Sequence, residues 1–214
     1  REHGVHMLLD EGVAALEGED GQVAVVVTAS GDRLPADVVV VGVGVRPNTK
    51  LAEAGGLVVD NGVVVGASLR TSHRDVYAAG DIANAFHPML GRHVRVEHWA
   101  HANRSGPAAA KSMLRLDVSY DPIPYFYTDQ YDLGMEYSGA IGPDGYDRVV
   151  YRGDVAGREF ISFWLKDGRV LAGMNVNVWD VTGPVEALIR SGAIIDADRL
   201  ADVNVPLEDL LPPG

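Results

Sequence analysis

The run from Ala36 to Thr49, ADVVVVGVGVRPNT, constrains the fold of this chain more than any other stretch. Val38 to Val41 is continuously β-branched and offers no polar residue for a solvent-facing side, so it predicts a strand covered on both faces. Strands of that kind belong to layered α/β folds, where helices flank a parallel sheet. Gly42 and Gly44 follow at the strand's end and let the backbone approach another group closely. Arg46-Pro47-Asn48 then turns the chain. The 25 glycines, many at predicted strand ends, suit the same fold class.

On either side the pattern is legible. Met7 to about Ala29 predicts two strands joined by the turn cluster Glu17–Gly21, and Ser30–Leu34 predicts another turn. Thr49–Ala54 predicts a short helix closed by Gly55-Gly56, and Asp60-Asn61-Gly62 is a hairpin signal between two strands. Val76–Ala79 predicts a short buried strand ending in Gly80-Asp81, and Phe86–Arg95, with Pro88 and Gly91, a surface loop. An Ala-rich helix is expected from Trp99 to about Leu114, although Pro107 lies inside it. Asp121–Pro124 reads as a linker. Four consecutive strands should follow it, with a hairpin turn at Lys166–Arg169. A final helix is expected at Pro184–Ser191, capped by Thr182 or Gly183 and stopped by Gly192. The expected class is therefore α/β to about residue 118, then α+β with an antiparallel meander.

Composition removes several function classes. With 47% hydrophobic and 22% charged residues the chain reads as globular, and no apolar run reaches the length of a membrane span. Nothing at the front resembles a signal peptide, so the cytoplasm is the expected location. The absence of cysteine excludes disulfides, a thiolate nucleophile and a Cys-ligated metal within this chain. A net charge of −12 argues against nucleic acid or an anionic membrane as partner. The chain opens on Arg1 without Met and soon enters a strand in mid-domain, so a piece of a longer polypeptide is expected. His87, His93, His98 and His101 fall close together, but their neighbours Arg92, Arg95 and Arg104 are cationic, and a metal site is set aside.

Gly80-Asp81 admits two readings from its residues alone. It is ordinary turn chemistry, or it is a carboxylate meeting a ligand where open α/β sheets bind cofactors. Three stretches bear on that choice. VVVVGVGVRPNT followed by TSHRDVYAAGDIA, then VRVEHWAHANRSG at 94–106, resembles the pyridine-nucleotide-dependent flavoproteins. PYFYTDQYDLGMEYSG at 124–139 is similar to the opening of the C-terminal domain of FAD-dependent ferredoxin, rubredoxin and putidaredoxin reductases, with Tyr125 and Tyr127 standing where that family has tryptophans.

The resemblance implies an α/β flavoprotein portion followed by an α+β C-terminal domain. Residues 1–48 would end an NAD(P)-binding domain, 49–118 would close the FAD-binding domain, and 119–214 would form the reductase interface domain. Neither Gly-x-Gly-x-x-Gly pyrophosphate loop is present, so both are expected upstream. The implied cofactors are FAD and NAD(P)H, and the implied partner is a ferredoxin-like electron carrier. The implied cofactor-binding positions are Gly44, Gly80, Asp81, Ile82, Glu97, His98, Trp99 and Tyr127. Asp81 would accept hydrogen bonds from the ribityl chain, and backbone near Trp99 would face the flavin's pyrimidine edge. Tyr125 and Tyr127 lie either by the flavin's exposed side or in a seam between domains; Trp164 and Trp179 are expected in the core. A basic patch of Arg92, His93, Arg95 and Arg104 would offset the chain's negative charge toward an acidic carrier. No general base is needed for hydride transfer between the two cofactors. The alternatives are a cysteine-dependent flavoprotein acting on peroxides or disulfides, and a non-enzymatic module that dimerises or binds through the meander's edge.

Overall fold

The computed structural model describes residues 3–212, which fall into two compact units, one up to Val45 and one from Arg46. The first unit is a small antiparallel sheet of β1 (Val13–Glu19), β2 (Gln22–Thr28) and β3 (Arg33–Pro35), in that order. Asp20 and Gly21 both take positive φ in the tight turn between β1 and β2, where a two-residue loop requires it. The first strand begins only at Val13, not at Met7, and the predicted turn at 30–34 contains the start of β3.

The run that predicted a doubly covered strand is not one. Residues 36–49 carry no strand pairing, and Val38, Val40, Val41, Val43 and Val45 are exposed, Val40 at 91%. A parallel strand requires neighbouring strands for its backbone and helices for its faces. Among the described residues none pairs with it, so β-branching alone cannot make it a strand.

In the second unit, α1 (Lys50–Ala54) precedes β4 (Val63–Val65), β5 (Ala83–His87) and β6 (Arg92–Arg95). β4 runs parallel to β5, and β5 returns antiparallel as β6 through Pro88–Gly91. The expected loop at 86–95 is therefore a hairpin, in which Phe86 opposite His93 packs edge to face. The expected strand at Val76–Ala79 is reduced to one bridge, Arg70 to Tyr77. Gly80–Ile82 forms a 3₁₀ turn that feeds directly into β5.

Helix α2 (Trp99–Met113) continues through Pro107. Gly106, lacking a Cβ, relieves the clash that proline imposes on its predecessor. Asn103, whose carbonyl loses its partner to the proline, lies on the solvent side, where water can replace the missing donor. The linker at Asp121–Pro124 is packed rather than exposed: Ile123 is fully buried and Tyr120 nearly so.

β7 (Tyr125–Gln130), β8 (Leu133–Gly139), β9 (Arg148–Asp154), β10 (Glu159–Lys166) and β11 (Arg169–Val176) form an antiparallel sheet ordered β7-β8-β11-β10-β9. The four expected strands are present, with β7 in addition, but they are not a simple meander. After β8 the chain crosses to the far edge and returns, so that β8 pairs with β11. Gly139 permits the exit, at φ 128°, where a Cβ would stand 2.5 Å from the Cα of Ala172.

Helix α3 (Thr182–Ser191) packs on this sheet, ending at Gly192 in the left-handed conformation, and α4 (Ala197–Ala201) follows. Phe163, Leu165, Val185, Leu188 and Leu200 form the buried centre. A Cβ on Gly173 would stand 2.6 Å from Cγ1 of Val185, so its absence sets how closely α3 approaches β11. Trp164 is half-buried, whereas Trp179, expected in the core, is 54% exposed over Gly134.

The chain's last turns are held by one cation. Arg152 donates to the carbonyls of Leu200, Asp202, Val203 and Val205, at 2.6 to 3.3 Å. Four acceptors that would otherwise face a sheet edge are thereby satisfied by one guanidinium. Replacing Arg152 by Met keeps the stem and removes every donor. A loss of about 2 kcal/mol in unfolding free energy is expected in urea, at the lower end for charged hydrogen bonds because the group is partly exposed. An unchanged midpoint would contradict this role.

Candidate functional site

Gly80 takes φ 71°, a conformation that glycine adopts without strain, and its N–H donates to Oγ of Ser105 on α2 at 2.8 Å. This places Asp81 at the turn's tip. Its carboxylate is exposed and receives no hydrogen bond from a described residue, while its carbonyl accepts from Nη1 of Arg95 at 3.1 Å. Arg95 also pairs with Glu97, and its side chain is only 12% exposed.

Beneath the turn runs the Asp60–Gly62 loop. Gly62, at φ 126°, would place a Cβ 2.6 Å from the carbonyl oxygen of Ile82, and Asn84 Nδ2 donates to the Asp60 carbonyl at 2.7 Å. The hairpin signal thus exists to let one turn pack under another. Ile82 is half-buried and points its contacts into the core that includes Val63 and Ala83.

The second element is the start of α2. His98 is its N-cap, with Nδ1 accepting from the Ala100 N–H at 3.2 Å. The first-turn N–H groups of Trp99 and His101 have no intrahelical acceptor, and the helix dipole concentrates positive potential there. The Trp99 indole is 70% exposed, so its backbone rather than its ring belongs to the turn. Around the His98 ring stand Tyr125, Phe126 and Tyr127, with centroids 5.5 to 6.4 Å away. Arg104 lies 5.9 Å over the Tyr125 ring. Tyr127 is half-exposed beside this cluster.

Behind Tyr125 is a group that inspection of the sequence missed. Glu136 accepts from the Tyr125 hydroxyl at 2.7 Å, Asn175 Nδ2 at 2.9 Å and Thr182 Oγ1 at 3.1 Å. One carboxylate therefore ties β7, β8, β11 and the start of α3 together. Burial pushes the Glu136 carboxyl up, but the three hydrogen bonds prevail and hold it below the ordinary carboxylate value. Tyr125, partly buried and facing that carboxylate, is pushed up to about 12 and stays a donor. Glu136 is invisible in sequence because its donors lie 11, 39 and 46 residues away.

The turn, the α2 terminus and the aromatic cluster all lie within the second unit. Gly80, Asp81, Ile82, Glu97, His98, Trp99 and Tyr127 are gathered there along one helix end and the turn it supports. Gly44, in the first unit at φ 91°, has open space around it. The basic patch is thinner than expected, because Arg95 is engaged with Glu97 and the Asp81 carbonyl; Arg92, His93 and Arg104 remain. The histidines serve separate ends. His87 bonds the Pro122 carbonyl at 3.0 Å, His93 packs on Phe86, His98 caps, and His101 is buried against Tyr120.

Comparison with known proteins gives a consistent result. Residues 1–106 match the pyridine nucleotide-disulphide oxidoreductase family, and residues 125–211 match the reductase C-terminal family. The ferredoxin–NAD(+) reductase component of the anthranilate 1,2-dioxygenase system of Burkholderia cepacia is 41% identical over 211 residues, covering 98% of this chain and 51% of that protein. The crystal structure of the ferredoxin reductase for the CYP199A2 system from Rhodopseudomonas palustris aligns with TM-score 0.86 at 31% identity, covering 94% of this chain and 50% of that one. The covalent putidaredoxin reductase–putidaredoxin complex aligns with TM-score 0.82 at 32% identity, covering 94% and 48%. The chain spans about half the length of these relatives.

The Glu136 network has a pH signature. A carboxyl held below its unfolded value stabilises the fold above that value, and the contribution is lost as pH falls through the folded value. Glu136→Gln should lower stability by a constant amount above about pH 5, and the gap to the native chain should close as pH falls below the ordinary 4.5. Urea midpoints across that range measure it, and a gap that stays constant down to the acid limit would refute it.

Proposed function

Because the chain belongs to the pyridine nucleotide-disulphide oxidoreductase family, we propose that it is the C-terminal part of an FAD-dependent reductase. That enzyme takes electrons from NAD(P)H and passes them to a small iron–sulfur carrier of the ferredoxin type. On this reading residues 1–48 end the nucleotide-binding domain, 49–118 close the FAD-binding domain and 119–214 form the interface domain. Gly44 is the point of close backbone approach on the nucleotide side. On this reading the enzyme works in the cytoplasm; no described helix is long and apolar enough to cross a membrane.

The observation that carries the reading is an exposed carboxylate without a donor among the described residues, fastened to a helix whose N-terminus opens beside it. Asp81 is acceptor-only, so it suits a polyol chain that offers hydroxyl donors. The Trp99 and His101 amides, at the positive end of α2, suit the flavin edge on which negative charge develops. Flavin, when bound, supplies the hydride-accepting and one-electron chemistry. The chain's own residues bind and orient it: Arg95 and Glu97 fix the Asp81 turn from one side, and Ile82 anchors it to the core.

Tyr125, Phe126 and Tyr127 limit water around His98 and preserve its capping geometry. The half-exposed Tyr127 and the residues Arg92, His93 and Arg104 are offered to an acidic carrier. The solved covalent complex of a similar reductase with putidaredoxin favours a carrier of this kind.

The full-length protein containing this chain should be yellow as isolated. Asp81→Ala should weaken FAD binding about ten- to a hundredfold, the usual effect of deleting a charged hydrogen-bond acceptor. Equilibrium binding of FAD to the apoprotein measures this, and full retention by the variant would remove Asp81 from the site.

A further inference from the structure

Gly80 opens the Asp81 turn and presents its N–H to one face of α2, donating to Ser105 Oγ at 2.8 Å, and the turn lies close enough to the His101 ring for Gly80 and Asp81 to act on it. Ser105 is completely buried and His101 is 7% exposed. The two residues are four apart, so they stand one above the other on the helix. The turn lies against α2, since a Cβ on Gly80 would stand in ordinary contact with that of Ala102, at 3.8 Å.

The His101 side chain is held from its other side by Tyr120. Nδ1 lies 3.0 Å from the Tyr120 hydroxyl, which can either donate to it or accept from it and which also stands 3.3 Å from the His101 carbonyl. Nε2 is buried and has no hydrogen-bond partner among the described residues. Burial pushes the imidazole below the usual histidine range, against the opposing pull of the Gly80 backbone and Asp81, which favours the neutral ring.

We propose that Ser105 and His101 are positioning residues for the flavin-binding carboxylate. Ser105 engages the N–H of Gly80, and His101 is buried one turn earlier on the same helix face; together they set the direction in which Asp81 points, and their side chains act on the cofactor only through Asp81. This rests on the reading of Asp81 given above, and the experiment separates the two.

In the full-length flavoprotein, the dissociation constant for FAD is measured for Ser105→Ala, Asp81→Ala and the double variant. Ser105→Ala alone should raise it about tenfold, the loss of one buried hydrogen bond. In the Asp81→Ala background the same substitution should change it less than twofold, because the group it positions is gone. His101→Phe, which keeps a ring and loses both nitrogens, should follow the same pattern. Ser112→Ala removes another buried hydroxyl from α2, one that does not reach the turn, and should leave FAD affinity unchanged.

A tenfold effect of Ser105→Ala in both backgrounds, or none in either, overturns the inference while leaving Asp81 in place. An equal loss of affinity in Ser112→Ala also overturns it, since general loosening of the helix would then suffice. Full FAD retention by Asp81→Ala overturns the reading of the site itself, and the inference with it.

Discussion

A buried backbone amide must find a partner, and the N–H of Gly80 finds it on a helix 25 residues later in the chain. That hydrogen bond fixes the order of everything around it. The turn can adopt its left-handed start because α2 receives the amide, and α2 can lie close because its facing positions are small or compactly polar: His101, Ser105, Ala109 and Ser112. The same helix carries the cap at His98. The exposed carboxylate and the positive helix end are therefore two features of one packed unit, and neither can shift without the other.

The C-terminal sheet reaches that unit through its edge strand. Tyr125 touches His98 and Arg104 on one side and donates to Glu136 on the other. Glu136 in turn gathers Asn175 and Thr182, so the interior of the C-terminal part is coupled to the α2 terminus by hydrogen bonds and ring contacts. Such a satisfied carboxylate is costly to disturb, since removing any one donor leaves a partly buried charge short of a partner. Arg152 works the other way at the opposite edge, a cation that closes the carbonyls of the final turns.

Several elements were legible in the sequence because their causes are local. The α2 and α3 helices, the Lys166–Arg169 hairpin and the Gly192 stop all rest on spacing and turn chemistry within a few residues. Where the cause was distant, inspection failed. Val38–Val41 has the composition of a buried strand but no neighbour among the described residues, and it lies exposed. Pro and Gly at 88–91 suggested a loop, yet they turn a hairpin whose strands are held by β4 on the far side. Trp179 looked like core by its size, but it covers Gly134 from outside. Strand order in the C-terminal sheet was not inferable either, since β8 skips its successor to pair with β11.

By itself the sequence determined which residue types stand at the site: a glycine able to take positive φ, a carboxylate after it, and an Ala-rich helix with Glu97 and His98 ahead of it. These follow from backbone sterics, hydrogen-bond capacity and helical period, all properties of neighbours in the chain. Only the tertiary structure decided that Ser105 and His101 would face Gly80, that Arg95 would be taken up by Glu97 and the Asp81 carbonyl, and that Glu136 would stand behind Tyr125. Those pairings depend on which faces pack together across tens of residues, and side-chain polarity alone carries no record of that choice.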